Sequence, residues 1–328
     1  MNIKSNFTLL PVALTLGMAS TNVYSDEVNT HKPYFSGNLT AGVLDVEGRD
    51  ADPWAFKAEA GLGGIYKVND DLRIRYDVVA DLANAINNAD ENRWTPGQYY
   101  MDEGEVYIRT ARVLLLTDYG VLGFQPRVPS GFWRQIYGNV DTFEYNRFHG
   151  QTGKNSFFGQ NEQTRNVFSY GSPKFGGFQL IAALINPNDK VDVSSARIVY
   201  KKDTLNVALG YTQVNRTGID DLQRTSFGLG YSLGMVDIGG VYEHNEDKES
   251  KDRVSDFDAW AVNLSAQFNE SWSGSVAYAK NNKNNNLDNS GVTAIFRHHF
   301  NSKVYAFLEG ATYDRTLDNV LGGISVSF

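Results

Sequence analysis

The chain has 328 residues, 41% of them hydrophobic and 21% charged, with a formal net charge of -8 and no cysteine. The missing thiols exclude disulfide staples, thiolate metal sites and cysteine nucleophiles, and the acidic balance excludes a nucleic-acid surface, which needs clustered Lys and Arg. Beyond the N-terminal segment the longest apolar run is Leu180 to Ile185, which excludes membrane-spanning helices, since these need about 18 or more apolar residues.

The N-terminus carries Lys4, an apolar core from Phe7 to Ser20 broken by Pro11, and small residues leading to Val23, Tyr24 and Ser25. Basic, then apolar, then small is the order of a secretory signal peptide, here predicted over 1–25, with one domain over 26–328. From Phe35 onward, apolar and polar residues alternate in stretches of about ten, the length at which a tilted strand crosses a bilayer. In the first strand Phe35, Leu39, Ala41 and Val43 alternate with Ser36, Asn38 and Thr40. In the second, Phe56, Ala58, Ala60 and Leu62 alternate with Lys57 and Glu59; in the third, Leu72, Ile74, Tyr76 and Val78 with Arg73, Arg75 and Asp77. The charged face of each strand is expected to look inward, because lipid would leave those charges unsolvated.

Turn-like connections are predicted near 69–71, 118–120, 173–177, 202–204, 233–234, 269–271 and 301–302, and longer polar ones near 46–53, 84–104, 128–163, 187–194, 215–222, 245–255, 281–290 and 314–318. These fifteen connections join sixteen strands, so the predicted fold is all-β, a 16-stranded antiparallel transmembrane β-barrel with an aqueous lumen. Aromatics near strand ends, among them Tyr66, Tyr170, Phe178, Tyr211, Tyr242, Phe268, Trp272 and Phe300, fit interfacial girdles. The last strand runs from Asn319 to a terminal Phe328, with Val320, Ile324, Val326 and Phe328 on one face.

Three stretches resemble the general, non-specific porins of Gram-negative bacteria. They are the turn Leu114-Leu115-Leu116-Thr117-Asp118-Tyr119-Gly120, the run from Arg165 to Phe178 with its Ser172-Pro173 turn and Gly177-Phe178 restart, and the closing strand into Phe328. The resemblance implies a multi-pass protein of the outer membrane that passes small hydrophilic solutes and ions by passive diffusion. It also implies a homotrimer in contact with outer-membrane lipid and lipopolysaccharide, and a barrel-assembly machinery that reads Phe328. A third extracellular loop folded into the lumen is implied as well. The longest connection, Pro129 to Gln163, holds that position, and its many aromatics argue for a packed segment. The Pro-Glu-Phe-Gly-Gly motif of enterobacterial members is missing, which leaves Asp141 and Glu144 as the loop acids.

Such a constriction works through a transverse field, with loop carboxylates facing basic groups on the wall. Arg165 and Arg109, with Arg73, Arg75 and Lys57 on inward faces, are the wall candidates. The acidic chain leans toward cations, because focused negative potential concentrates them. The alternative is a solute-specific oligosaccharide channel, in which Trp133, Tyr137, Phe143 and Tyr145 would form a stacking track rather than pack the loop. An enzyme finds less support: Tyr211-Thr212-Gln213 resembles one phospholipase signature, but its His-x-Ser-Asn-Gly companion is absent, and the five histidines lack the spacing of a dyad. An adhesin is a further alternative. No catalytic residue, cofactor or metal site is expected.

Overall fold

The computed structural model describes residues 31–87, 106–128, 130–149, 156–160, 164–187, 191–216, 221–247, 256–283 and 288–328. The predicted signal peptide and most of the connection predicted near 84–104 lie outside them. Sixteen strands follow in order: β1 (His31–Val46), β2 (Asp52–Lys67), β3 (Leu72–Asp81), β4 (Tyr107–Thr117), β5 (Gly120–Arg127), β6 (Arg165–Gly171), β7 (Phe178–Ile185), β8 (Val191–Lys202), β9 (Leu205–Arg216), β10 (Leu222–Leu233), β11 (Val236–Asp247), β12 (Phe257–Gln267), β13 (Trp272–Asn281), β14 (Asn289–His299), β15 (Val304–Tyr313) and β16 (Asn319–Ser327).

Each strand pairs antiparallel with its neighbours, and β1 closes on β16 from Asn38 opposite Ser327 to Val46 opposite Asn319. Closure removes the edges that would leave N–H and C=O groups unpaired in hydrocarbon. The period-two pattern sets the faces: Leu39 and Leu209 are 48% and 52% exposed, whereas Thr40 and Ala208 between them and their partners are fully covered. Tyr170, Phe178, Tyr211, Tyr242, Phe268, Trp272 and Phe300 all stand exposed on the apolar side. Phe328 exchanges backbone hydrogen bonds with Gly37, and its ring lies over that residue, where a Cβ would sit 2.2 Å from the ring tip.

Simple alternation is broken by register shifts in three strand pairs, β1–β2, β3–β4 at Val79 and Ala80, and β4–β5 between Ala111 and Val113. The β1–β2 register shifts at Thr40 and Ala41, so one extra residue enters β2 and Phe56 turns to the same side as Lys57. Phe56 therefore does not join the apolar face as its position predicts. It is buried edge-on against Tyr145 and Phe307, at 5.7 and 5.9 Å between ring centres. After β3 a single helical turn, α1 (Ala83–Asn87), lies along β2, where the Asn87 amide brackets the Ala55 backbone with hydrogen bonds of 2.8 and 2.9 Å.

Candidate functional site

The connection between β5 and β6 is described over residues 130–149 and 156–160. It opens with a tight turn, Ser130–Trp133, and a one-turn helix, α2 (Arg134–Tyr137), and its described residues press against the polar faces of β2 and β8–β16. Its aromatic content explains the packing. Phe143, Phe148 and Phe157 meet edge to face, Tyr137 stacks on His149 at 4.0 Å, and Phe157 reaches Tyr313 of the wall.

Wall side chains hold the segment at separate points. Arg197 on β8 lies 4.3 and 4.4 Å from the ring centres of Phe132 and Trp133 and donates to the Phe132 carbonyl and, at 3.3 Å, to Gln135. Next, Ile136 and Asn139 lie against glycines. A Cβ on Gly228 would come within 2.5 Å of the Ile136 carbonyl oxygen, and one on Gly239 within 2.0 Å of that of Asn139. Only residues without side chains let two backbones approach so closely.

Two buried wall carboxylates take up backbone N–H groups that the irregular segment cannot pair internally. Glu309 on β15 accepts from the N–H groups of Glu144, Tyr145 and Asn146 at 2.7, 3.2 and 2.7 Å. Glu243 on β11 accepts from the Tyr137 hydroxyl and the Gly159 N–H, each at 2.5 Å, with Arg224 of β10 3.7 Å away. Burial, with Glu243 beside it, pushes the Tyr137 phenol far above its ordinary range. Farther along, Lys283 donates to the Ser156 carbonyl and hydroxyl above the Phe257 ring, and burial pulls its amine down to about 8.

The charged centre of the segment is Glu144. Its carboxylate bridges Lys57 of β2 at 2.9 Å and Arg297 of β14 at 2.8 Å, and accepts the Tyr305 hydroxyl at 2.7 Å. Arg297 also donates to the Thr142 carbonyl at 2.5 Å. Burial by itself would raise the Glu144 pKa, but the Lys57 and Arg297 charges outweigh it and bring the carboxyl down to about 2. At full ionisation the group ties β2 to β14, across the closing seam, through one loop residue.

The other expected site residues are distributed differently. Asp141 accepts the His149 backbone N–H at 3.1 Å within the segment itself. Arg109 pairs with Glu59 at 2.5 Å and Asp81 at 3.5 Å on its own wall. Arg75 pairs with Asp77 at 3.0 Å, as does Arg112 at 2.7 Å. Arg73 lies opposite Lys67, ten residues along β2 from Lys57, or about 33 Å of strand; it stands at the rim of short turns and not beside Glu144. Arg165 is exposed at the first position of β6, across from Arg127.

The aromatic track is not formed. Stacking needs an open ring face, and Trp133, Tyr137, Phe143 and Tyr145 are only 1, 1, 3 and 5% exposed, covered by Arg197, His149, Phe148 and Phe56. They pack the segment to the wall. His298 and His299 point to opposite faces, the former against Trp272 at 4.3 Å and the latter hydrogen-bonded to Ser273 at 2.8 Å. Among the described residues no three or more His, Asp or Glu side chains converge as a metal site.

Arg297, Glu309, Glu243 and Arg197 are absent from the sequence-based candidates. Each is an ionisable residue on the polar parity of a strand, and that was the available signal. Neither parity nor spacing says which of them meets the loop.

A family model described as Gram-negative porin matches residues 12–318 of the chain. Among solved structures, the barrel is similar to the anion-selective porin from Comamonas acidovorans, with a TM-score of 0.72 at 13% identity, over 91% of this chain and 100% of that one. It is also similar to OmpF of Salmonella typhi in complex with daunomycin, with a TM-score of 0.70 at 14% identity, over 93% and 99%. A third is OmpT of Vibrio cholerae in its trimer form, with a TM-score of 0.67 at 15% identity, over 91% and 100%. Among curated proteins, none matches the chain in sequence.

Proposed function

The chain belongs to the Gram-negative porin family and is an outer-membrane channel for passive diffusion of solutes, and we propose that residues 130–149 and 156–160 form its constriction. The fold and family are those of a channel rather than an enzyme. The observation that carries the constriction is that the loop is held from Arg197 of β8, across the barrel, to Glu144, which bridges Lys57 of β2 and Arg297 of β14. A loop anchored on both sides of a lumen narrows it and sets the charge at the narrowest height. Arg109 of β4, paired with Glu59 two residues along β2 from Lys57, is the wall base beside that seat, with Arg165 at the first position of β6, whereas Arg75, opposite Ile65, lies with Arg73 toward the rim of short turns.

The covered aromatics favour a general pore over an oligosaccharide-specific one. Bilayer recordings of the refolded protein test this: ohmic steps that shift in size when Glu144, Lys57 or Arg297 is changed support the assignment. Steps indifferent to all of these would remove the constriction from this loop.

The biogenesis and assembly proposals follow from membership. Residues 1–25 are removed as a signal peptide, and the assembly machinery reads Phe328, whose exposed ring at the closing seam is 67% accessible. The protein assembles as a homotrimer, in line with the trimer form of the similar Vibrio cholerae protein. Its outward face contacts lipid and, at the loop rim, lipopolysaccharide.

A further inference from the structure

We propose that Arg127, Arg165 and Tyr107 form a binding subsite for a small oxyanion at the root of the loop that joins β5 to β6. The proposal deepens the channel reading and rests on it. Strand register fixes the place. Arg127, the last residue of β5, lies directly opposite Arg165, the first of β6, and the next pair along, Val128 and Thr164, closes the root with a backbone hydrogen bond of 3.0 Å. Counted along their strands, both arginines share the side of Gln125 and Val167, which are covered, whereas Phe124 and Phe168 stand exposed on the opposite, lipid-facing side.

The three side chains offer donors. Arg127 Nη1 donates to the Tyr107 hydroxyl of β4 at 3.1 Å, and its guanidinium carbon lies 5.0 Å from the Tyr107 ring centre, so the ring seats the cation. Having accepted that bond, the hydroxyl keeps its own proton to give, while a guanidinium has five N–H groups and no acceptor. Among the described residues no carboxylate pairs with Arg127 or Arg165; Asp81, opposite Tyr107 on β3, is engaged by Arg109 at 3.5 Å. Residues directly opposite in a sheet have Cβ atoms about 4.5–5.5 Å apart, and like charges so placed repel. Two such cations without a carboxylate are within reach of one anion that would relieve both.

The class of solute follows from that donor set. An oxyanion brings several acceptor oxygens with its charge, and guanidinium groups take such oxygens through pairs of parallel N–H bonds. A cation meets only like charge there, and a neutral polyol brings hydroxyl protons that find no acceptor. The net charge of -8 over the whole chain leans toward cations. An ion in the lumen, however, responds most to charges within a Debye length, about 8 Å in physiological salt. Binding must be weak, because a conducting site has to release what it holds.

The test is single-channel conductance of the refolded full-length barrel in potassium chloride, at neutral pH and constant ionic strength, with inorganic phosphate as the probe. Phosphate is expected to lower the current along a saturating curve. Arg127→Gln and Arg165→Gln should each raise the half-saturating concentration about tenfold, the worth of one charge-assisted hydrogen bond. Tyr107→Phe keeps the ring under Arg127 and should raise it about fivefold; it removes a single oxygen, so it keeps the test open where an arginine variant fails to fold. A phosphate effect linear in concentration, or a saturating one that the folded variants retain unchanged, overturns the subsite and leaves the channel standing. A native protein without conductance in potassium chloride overturns the channel reading and the subsite together.

Discussion

The Glu309 carboxylate accepts both the backbone N–H of Asn146 at 2.7 Å and its side-chain amide at 3.0 Å, so one wall residue fixes a loop residue by main chain and side chain together. Hydrogen bonds to a buried charge contribute about 1.5–3 kcal/mol each. Glu309→Gln turns an acceptor into a group that is half donor, facing N–H groups that cannot accept. The loop should loosen while the strand ladder, closed independently of it, stays intact. Limited proteolysis checks this: cleavage within residues 141–149 should rise several-fold with an unchanged strand signal in circular dichroism. Equal cleavage rates would show that the contact does not hold the loop.

Removing charge at the seat of Glu144 should move ion preference in opposite directions. Glu144→Gln leaves Lys57 and Arg297 facing each other without their shared carboxylate. Breaking such a buried pair costs about 3–5 kcal/mol and makes the local field more positive. Lys57→Met makes it more negative. Reversal potentials in a salt gradient should therefore shift toward anions for the first variant and toward cations for the second. Shifts of the same sign would mean that loop displacement, not field, controls permeation.

The barrel was largely legible from sequence because its constraints are local. Turn residues punctuate the chain, and lipid enforces an apolar side on every strand. The bulge that turns Phe56 inward was not legible, since an extra residue in β2 shows only in the pairing with β1. The loop seat was partly legible. Glu144 stood out as a loop acid, and Lys57 as an inward base. Arg297 did not, although it shares parity with Thr293 and Ile295, because the choice among inward charges depends on how the loop descends. Glu309 is one acid between Phe307 and Ala311 on its face, and its role depends on donors more than 160 residues away.

The seat should also respond to acid. Glu144 has a folded pKa of about 2 against an ordinary 4.5. A carboxyl with a depressed pKa contributes its stabilisation fully above the unfolded value and loses it as pH falls through the folded one. Here that amounts to about 3 kcal/mol, vanishing between pH 4.5 and about 2. Pepsin cleavage of the loop, or current flicker, should increase across that window in the native protein. In Glu144→Gln the same readout should already be high and flat. A native protein unchanged down to the lower limit would mean that the neighbouring contacts of Glu309 and Arg197 suffice to hold the segment.

The approach of Ile136 to Gly228 gives the most direct steric probe. In Gly228→Ala the new methyl would lie 2.5 Å from the Ile136 carbonyl oxygen and 2.6 Å from its Cα. Backbone atoms cannot rotate away, so the segment must lift off the wall, at a cost of about 1–3 kcal/mol typical of overpacking. The only direction open to it is toward the lumen axis, so single-channel conductance should fall. Gly240→Ala, in the neighbouring strand at a position with open space around its Cβ, should leave conductance unchanged. If both variants conduct like the native channel, the segment does not rest on β10. If only the first falls, the glycine wall determines how wide the pore stands, because each ångström of displacement at a narrow point removes area from the path that ions share.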